Sequence, residues 1–339
     1  MSKLKLMKLL MLLGLLSGSA YGQDPSFSQF FSSPLNINPA LTGMINSDWR
    51  GIANIRVEWI DPASPYNTST ASFDGKILQD KISESSIFGL GGMIMYDEGM
   101  TGALKSTYAS LDAAYNIKIA EQGGDHRLGI GVGLTYGHKQ VDYSQLTFAQ
   151  QFTGYGFDTN LPTGEAAFSN MNSYFSASAG LLYSYVSRYS GFDFGAAAFH
   201  LNKPKQTVMS DPNQYLAPRY VIHGNYQNYL YDKLEIFANG IYQTQSKANY
   251  FSVGGGLGYF LTEEGDENRV IANAGVWYWS NNAIVPYIGL TYNQLQLGLS
   301  YDITTSKLAS AARRPQTFEI SITIRGGETP DTAVPSPWK

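Results

Sequence analysis

Four histidines, His126, His138, His200 and His223, are the side chains best suited to metal or proton-transfer chemistry, and the chain has no cysteine. Thiol nucleophiles, disulfides and thiolate metal sites are therefore excluded. His200 and His223 fall at the ends of two successive strand-like stretches and can meet across one hairpin. A metal held there would still lack a close set of further ligands, so capping or hydrogen bonding is their expected role and no cofactor is expected. Gly254-Gly255-Gly256-Leu257-Gly258 has the glycines of a phosphate loop but no helix pattern after it, and no Gly-x-Ser-x-Gly elbow occurs. What remains is a set of charges, Arg56, Glu58, Asp74, Lys76, Asp112 and Glu319, each on the polar face of an alternating stretch. In a narrow polar interior such charges are expected to pair with one another and fill the space.

The elements that must position these residues are strands. In Leu128 to Gly137 the even positions Leu128, Ile130, Val132, Leu134 and Tyr136 are apolar, and the odd ones are Gly129, Gly131, Gly133 and Thr135. A period of two separates a greasy face from a small, polar one, and a helix would scatter the same residues round its surface. Composition agrees: charged residues are 15%, aromatics 14%, and there are 35 glycines and 24 tyrosines. Few charges with abundant Tyr and Gly suit a sheet with one lipid face and one wet face. A net charge of -4 gives no electrostatic case for nucleic acid.

The chain opens with an export signal. Lys3, Lys5 and Lys8 precede the apolar run Leu9 to Leu16, and Ala20-Tyr21-Gly22 fits a cleavage site that leaves Gln23 first. Nothing later approaches the twenty or so apolar residues of a spanning helix. An exported chain of alternating strands points to a bacterial outer-membrane barrel, with outer-membrane lipid as its first partner.

The strands are expected at Trp49–Trp59, Tyr66–Lys76, Ser86–Tyr96, Leu104–Lys118, His126–His138, Asn172–Tyr185 and Gly191–His200. They continue at Pro218–Asn228, Asp232–Gln243, Asn249–Leu261, Arg269–Trp279, Ala283–Tyr292, Gln294–Asp302 and Gln316–Arg325. That is about fourteen, an even number as single-chain bacterial barrels require. Counted from the periplasm, the long connections Lys139–Met171, Leu201–Ala217 and Ile303–Pro315 all fall outside the cell, and the periplasmic turns are short. In the first strand Trp49, Ala53, Ile55, Val57 and Trp59 share one face, while Asn54, Arg56 and Glu58 share the other. Ten residues at about 3.3 Å, tilted about 40°, rise roughly 25 Å, so the two Trp suit the two aromatic girdles. Trp277 and Trp279 are candidates to extend the outer girdle. First and last strands lie side by side in such a barrel, which sets Arg56 near Glu319. The last strand lacks the terminal aromatic often used as an assembly signal.

The expected organisation is therefore a signal peptide (1–22), an N-terminal periplasmic or plug segment (23–48), an up-and-down transmembrane β-barrel (49–325) and a C-terminal tail (326–339). Three prolines favour turns over ladder pairing within 23–48, and Phe27, Phe30 and Phe31 are expected to pack under or into the barrel.

Gln23-x-Pro25-x-Phe27-Ser28-Gln29-Phe30, then Asn38-Pro39-Ala40-x-x-Gly43, resembles the opening of the PorP/SprF family. Phe199-His200-Leu201-Asn202-Lys203-Pro204 and Leu216-Ala217-Pro218-Arg219-Tyr220-Val221-Ile222-His223-Gly224 resemble its middle region. The resemblance implies a non-enzymatic outer-membrane barrel of type IX secretion and gliding motility. It also implies two kinds of partner: a secreted surface protein, such as an adhesin with a type IX C-terminal targeting domain, and periplasmic or outer-membrane secretion components. Outer-loop aromatics set among Gly, Asn and Asp, namely Phe148, Phe152, Tyr155, Phe157 and Tyr215, are the candidate partner contacts. The alternative is a channel for a hydrophobic small molecule, like the fatty-acid transporters, with 23–48 as its plug. The inward positions, mostly Gly, Ser, Thr, Asn and charges, would bind such a ligand poorly.

Overall fold

Side-chain alternation carries most of this chain into antiparallel strands, and the backbone groups that an open edge would leave unpaired in lipid force them to close. The computed structural model describes residues 23–60, 65–83, 85–164, 172–206, 215–231, 233–263, 268–310 and 315–327. The export signal at 1–22 and the tail from 328 to 339 lie outside the described residues. Fourteen antiparallel strands form one closed barrel, and no described helix is long and apolar enough to cross a membrane. They are β1 (Trp49–Glu58), β2 (Tyr66–Ile77), β3 (Ser86–Gly99), β4 (Leu104–Ala120), β5 (Asp125–Val141), β6 (Tyr174–Val186) and β7 (Ser190–Phe199). The second half comprises β8 (Arg219–Tyr231), β9 (Leu234–Gln245), β10 (Ala248–Phe260), β11 (Val270–Trp279), β12 (Ala283–Tyr292), β13 (Leu295–Tyr301) and β14 (Phe318–Gly326). The pair Ile303–Thr304 continues β13 beyond Asp302 on the same neighbour, β12. Each strand pairs with the next, and β1 pairs with β14, with Ile55 opposite Ile320 and Arg56 opposite Glu319.

The expected strands match these within a few residues. Even the narrow split after Tyr292 holds, because Asn293 takes a left-handed φ of 51° that turns the chain at once into β13. Leu128, Ile130, Val132 and Leu134 face outward, and the glycines between them face the lumen. The connections 142–173, 200–218 and 305–317 emerge at one end of the barrel, hereafter the long-loop end.

The lumen is filled. Residues 27–47 are buried inside it apart from the half-buried Asn36 and Asn46. The segment starts at the long-loop end and descends to the other, where Asp48 N donates to Gly326 O and Lys76 N to Asp48 O. It is folded into three short turns, Phe30–Ser32, Pro34–Ile37 and Pro39–Leu41. Pro34 and Pro39 open two of these, where a missing N–H loses no bond.

Two expectations fail here. Trp277 and Trp279 do not join the outer girdle but point into the lumen, at 1% and 8% exposure. Trp277 packs on Phe31 (4.8 Å between ring centres) and donates Nε1–H to Asn239 Oδ1 at 2.6 Å. The lumen is also less polar than expected: Phe30, Phe31, Leu41 and Met44 form one apolar core with Phe237, Ile241, Trp277 and Val285 of the wall. A bore occupied by an apolar segment needs apolar inner positions wherever that segment touches it.

Candidate functional site

Asp24 marks the long-loop end of the luminal segment. Its Oδ2 lies 2.7 Å from His200 Nε2 and 3.0 Å from Arg219 Nε, and its backbone N–H donates to Gln245 Oε1 at 2.9 Å. The Arg219 contact is a charge contact rather than an aligned hydrogen bond. A carboxylate at Nε2 fixes the His200 proton there and leaves Nδ1 to accept from Ser176 Oγ, 2.7 Å away. Burial alone would raise the Asp24 carboxyl, but the Arg219 charge and the His200 contact outweigh it and hold the carboxyl well below the usual range. Arg219 also stacks on Phe199 and donates through Nη2 to Asn36 O at 3.0 Å.

His200 and His223 do not meet. The ladder sets Phe199 opposite Arg219 and Gly195 opposite His223, so His223 lies within β8 and well down the wall. There its Nε2 takes a bond from Asn38 Nδ2 at 3.0 Å, and Asn38 Nδ2 also donates to Leu181 O at 2.9 Å. Among the described residues no three His, Asp or Glu side chains gather to hold a metal.

The Asn38-Pro39-Ala40-x-x-Gly43 motif lies in a cradle of glycines. A Cβ on Gly131 would stand 2.5 Å from Ala40 Cα, one on Gly89 2.6 Å from Thr42 C, and one on Gly195 2.7 Å from Asn38 Nδ2. Gly43 itself has a φ of +69° and donates its N–H to Asp74 Oδ2 at 2.8 Å. Asp74 in turn accepts from Arg50 Nε and Nη2, both at 3.0 Å.

The luminal charges therefore form two clusters. Arg56 contacts Glu319 at 3.1 Å, Asp302 at 2.9 Å and Glu58, and it also donates to Ser28 Oγ. Asp74 stands apart with Arg50, while Asp112 accepts from Ser110 at 3.1 Å. Arg50 and Asp302 were not singled out in the sequence, although strict alternation puts Arg50 on the same face as Asn54 and Arg56.

Gln23 is exposed and Pro25 half-buried, whereas Phe27, Gln29, Asn38, Pro39, Ala40 and Gly43 are buried. Thus Asp24, distant in sequence, meets His200 and Arg219, the two ends of the β7–β8 connection, at the long-loop end of the lumen. Above it, Phe152 and Phe157 pair across a short hairpin, with ring centres 5.2 Å apart and Tyr155 fully exposed at its tip. Phe148 is half-buried at its base, and Tyr215 stands exposed on another loop beneath the Lys205 ammonium.

A model of the PorP/SprF family, described as type IX secretion system membrane proteins, matches residues 19–324. The chain belongs to this family. PorP/SprF membership and the closed barrel make it an outer-membrane component of type IX secretion. The family is one of secretion barrels rather than enzymes, and it brings secretion machinery and secreted cargo as the general class of partner. No curated protein was found to match in sequence. Among solved structures the chain is similar to the Ralstonia pickettii toluene transporter TbuX, with 9% identity and a TM-score of 0.48 over 87% of this chain and 93% of that one. It is also similar to the Pseudomonas putida toluene transporter TodX, with 10% identity and a TM-score of 0.45 over 90% and 94%. A third likeness is to CdiB from Acinetobacter baumannii, with 7% identity and a TM-score of 0.43 over 82% and 60%.

Proposed function

We propose that this PorP/SprF barrel is a holder and not a conduit. Its long-loop end faces outward and retains one secreted partner, such as an adhesin with a type IX C-terminal targeting domain. Its short-turn end meets the periplasmic secretion or gliding machinery. The observation that carries this reading is the filled bore. Residues 27–47 occupy the lumen, and two cavities beside them measure about 20 and 40 Å³. The larger of the two is lined by Leu35, Met93, Met95 and Phe199 and by polar groups that include Asp24, Asp112 and Arg219. It has room for roughly a water or two, against the several hundred Å³ of a site for a drug-sized ligand. A channel for a hydrophobic molecule would require the segment to leave, together with its buried ion pairs. The surface left for recognition is the set of outer loops, where the Phe152–Phe157 hairpin presents aromatic anchors among small polar residues.

The test replaces Phe152, Tyr155 and Phe157 together with Ser. Barrel assembly, read by heat-resistant gel migration, is expected to stay intact while the secreted partner passes from the cell surface into the medium. Retention of the partner together with lost uptake of an amphiphile would reject the holder and favour the channel.

A further inference from the structure

The ring closes where β1 meets β14, and this seam is spanned from inside by Ser28 and Gln29. Their two backbone N–H groups donate to the two carboxylate oxygens of Glu319 at 2.8 and 3.0 Å. The Gln29 amide donates to Glu319 O and to Ser300 Oγ, both at 3.0 Å, and accepts from Ser321 Oγ at 2.7 Å. From β1, Arg56 reaches Glu319 and Asn54 donates to Ser32 O at 2.7 Å. Residues 28–32 therefore touch β1, β13 and β14 at once, through buried groups on every side. The Glu319 carboxylate and the Gln29 amide are matched on both sides, and such buried pairs discriminate strongly because a misplacement leaves several of them without partners.

We propose that Ser28–Ser32 is a closure clasp, an internal signal that recognises the last strand and sets its register against the first. It stands in a chain whose last strand carries no terminal aromatic. Side chains alternate, so a strand slipped by two residues would offer Ser321 or Thr317 where the two N–H groups require a carboxylate.

Because the chain has no cysteine, the test can use engineered disulfides in the full-length protein. Gln29→Ala should lower the midpoint of heat-resistant gel migration by about 5 °C or more. A seam disulfide from Ile55→Cys with Ile320→Cys, residues directly opposite on the lipid face, should restore it. A disulfide between β8 and β9, from Ile222→Cys with Tyr242→Cys, should not. An unchanged midpoint in Gln29→Ala, or equal rescue by both disulfides, overturns the clasp. If Gln29→Ala does not assemble, Ser321→Ala takes its place. It removes one bond only, and its smaller drop must likewise yield to the seam disulfide alone. No drop, or rescue by both, counts against the proposal.

Discussion

Gly131→Ala tests the cradle most directly. The added methyl would stand 2.5 Å from Ala40 Cα and overlap Ala40 N and Pro39 C. All three are backbone atoms, beside a proline whose φ is fixed, so no flexible side chain can swing away. Overpacking of this kind costs about 1–3 kcal/mol, and a rigid collision belongs at the upper end. A loss of about 3 kcal/mol changes the ratio of folded to unfolded protein by roughly a hundredfold or more. Gly51→Ala is the matched control, because its Cβ would meet only Phe73 Cδ2, at 4.0 Å, on the lipid side. Urea unfolding of the two variants in detergent, followed by tryptophan fluorescence, reports the difference, since Trp277 lies against Phe31 of the segment. Equal midpoints for the two variants would refute the claim that segment and wall interlock.

Arg56→Ala should destabilise by about 3–5 kcal/mol, measured in the same way, because it strands the carboxylates of Glu319 and Asp302 in a buried site. The exchange of Arg56→Glu with Glu319→Arg should recover little. The new carboxylate would face Glu58 and Asp302, and the new guanidinium would face the N–H groups of Ser28 and Gln29. Asp24 predicts an acid limb. Its carboxyl is held below the usual range, so its contribution is fully present above about pH 4 and is lost as pH falls toward the lowered value. Asp24→Asn should remove roughly 2 kcal/mol at neutral pH and flatten that limb in melts recorded from pH 6 to 2.

The strands were legible because a lipid face and a glycine-rich inner face differ sharply in β5, and the turns carry their own signals. Arg56 and Glu319 could be placed together because closure makes the first and last strands neighbours. Trp277 could not be placed by hydropathy, since Val276, Trp277, Tyr278 and Trp279 are apolar on both faces at the end of β11. Only Asn273, on the same face as Trp277, pointed inward. The meeting of Asp24 with His200 was out of reach for another reason. It spans 176 positions, and it depends on a segment that runs to the long-loop end of a bore whose register the sequence does not reveal.

Asn202 has a mechanical consequence. Ladder pairing of β6 with β7 stops at Ala179 opposite Ala198. Above that point Asn202 stands in for a strand, its Oδ1 accepting from Ala177 N at 3.0 Å and its Nδ2 donating to Phe175 O at 2.8 Å. On the β6 side the loop that follows β7 is thus fastened by these two side-chain bonds and by Leu201 N donating to Ala177 O at 3.0 Å. Under the proposed tether, a pull on that loop would load these three bonds before the β6–β7 ladder below them, like a fuse on that side of β7.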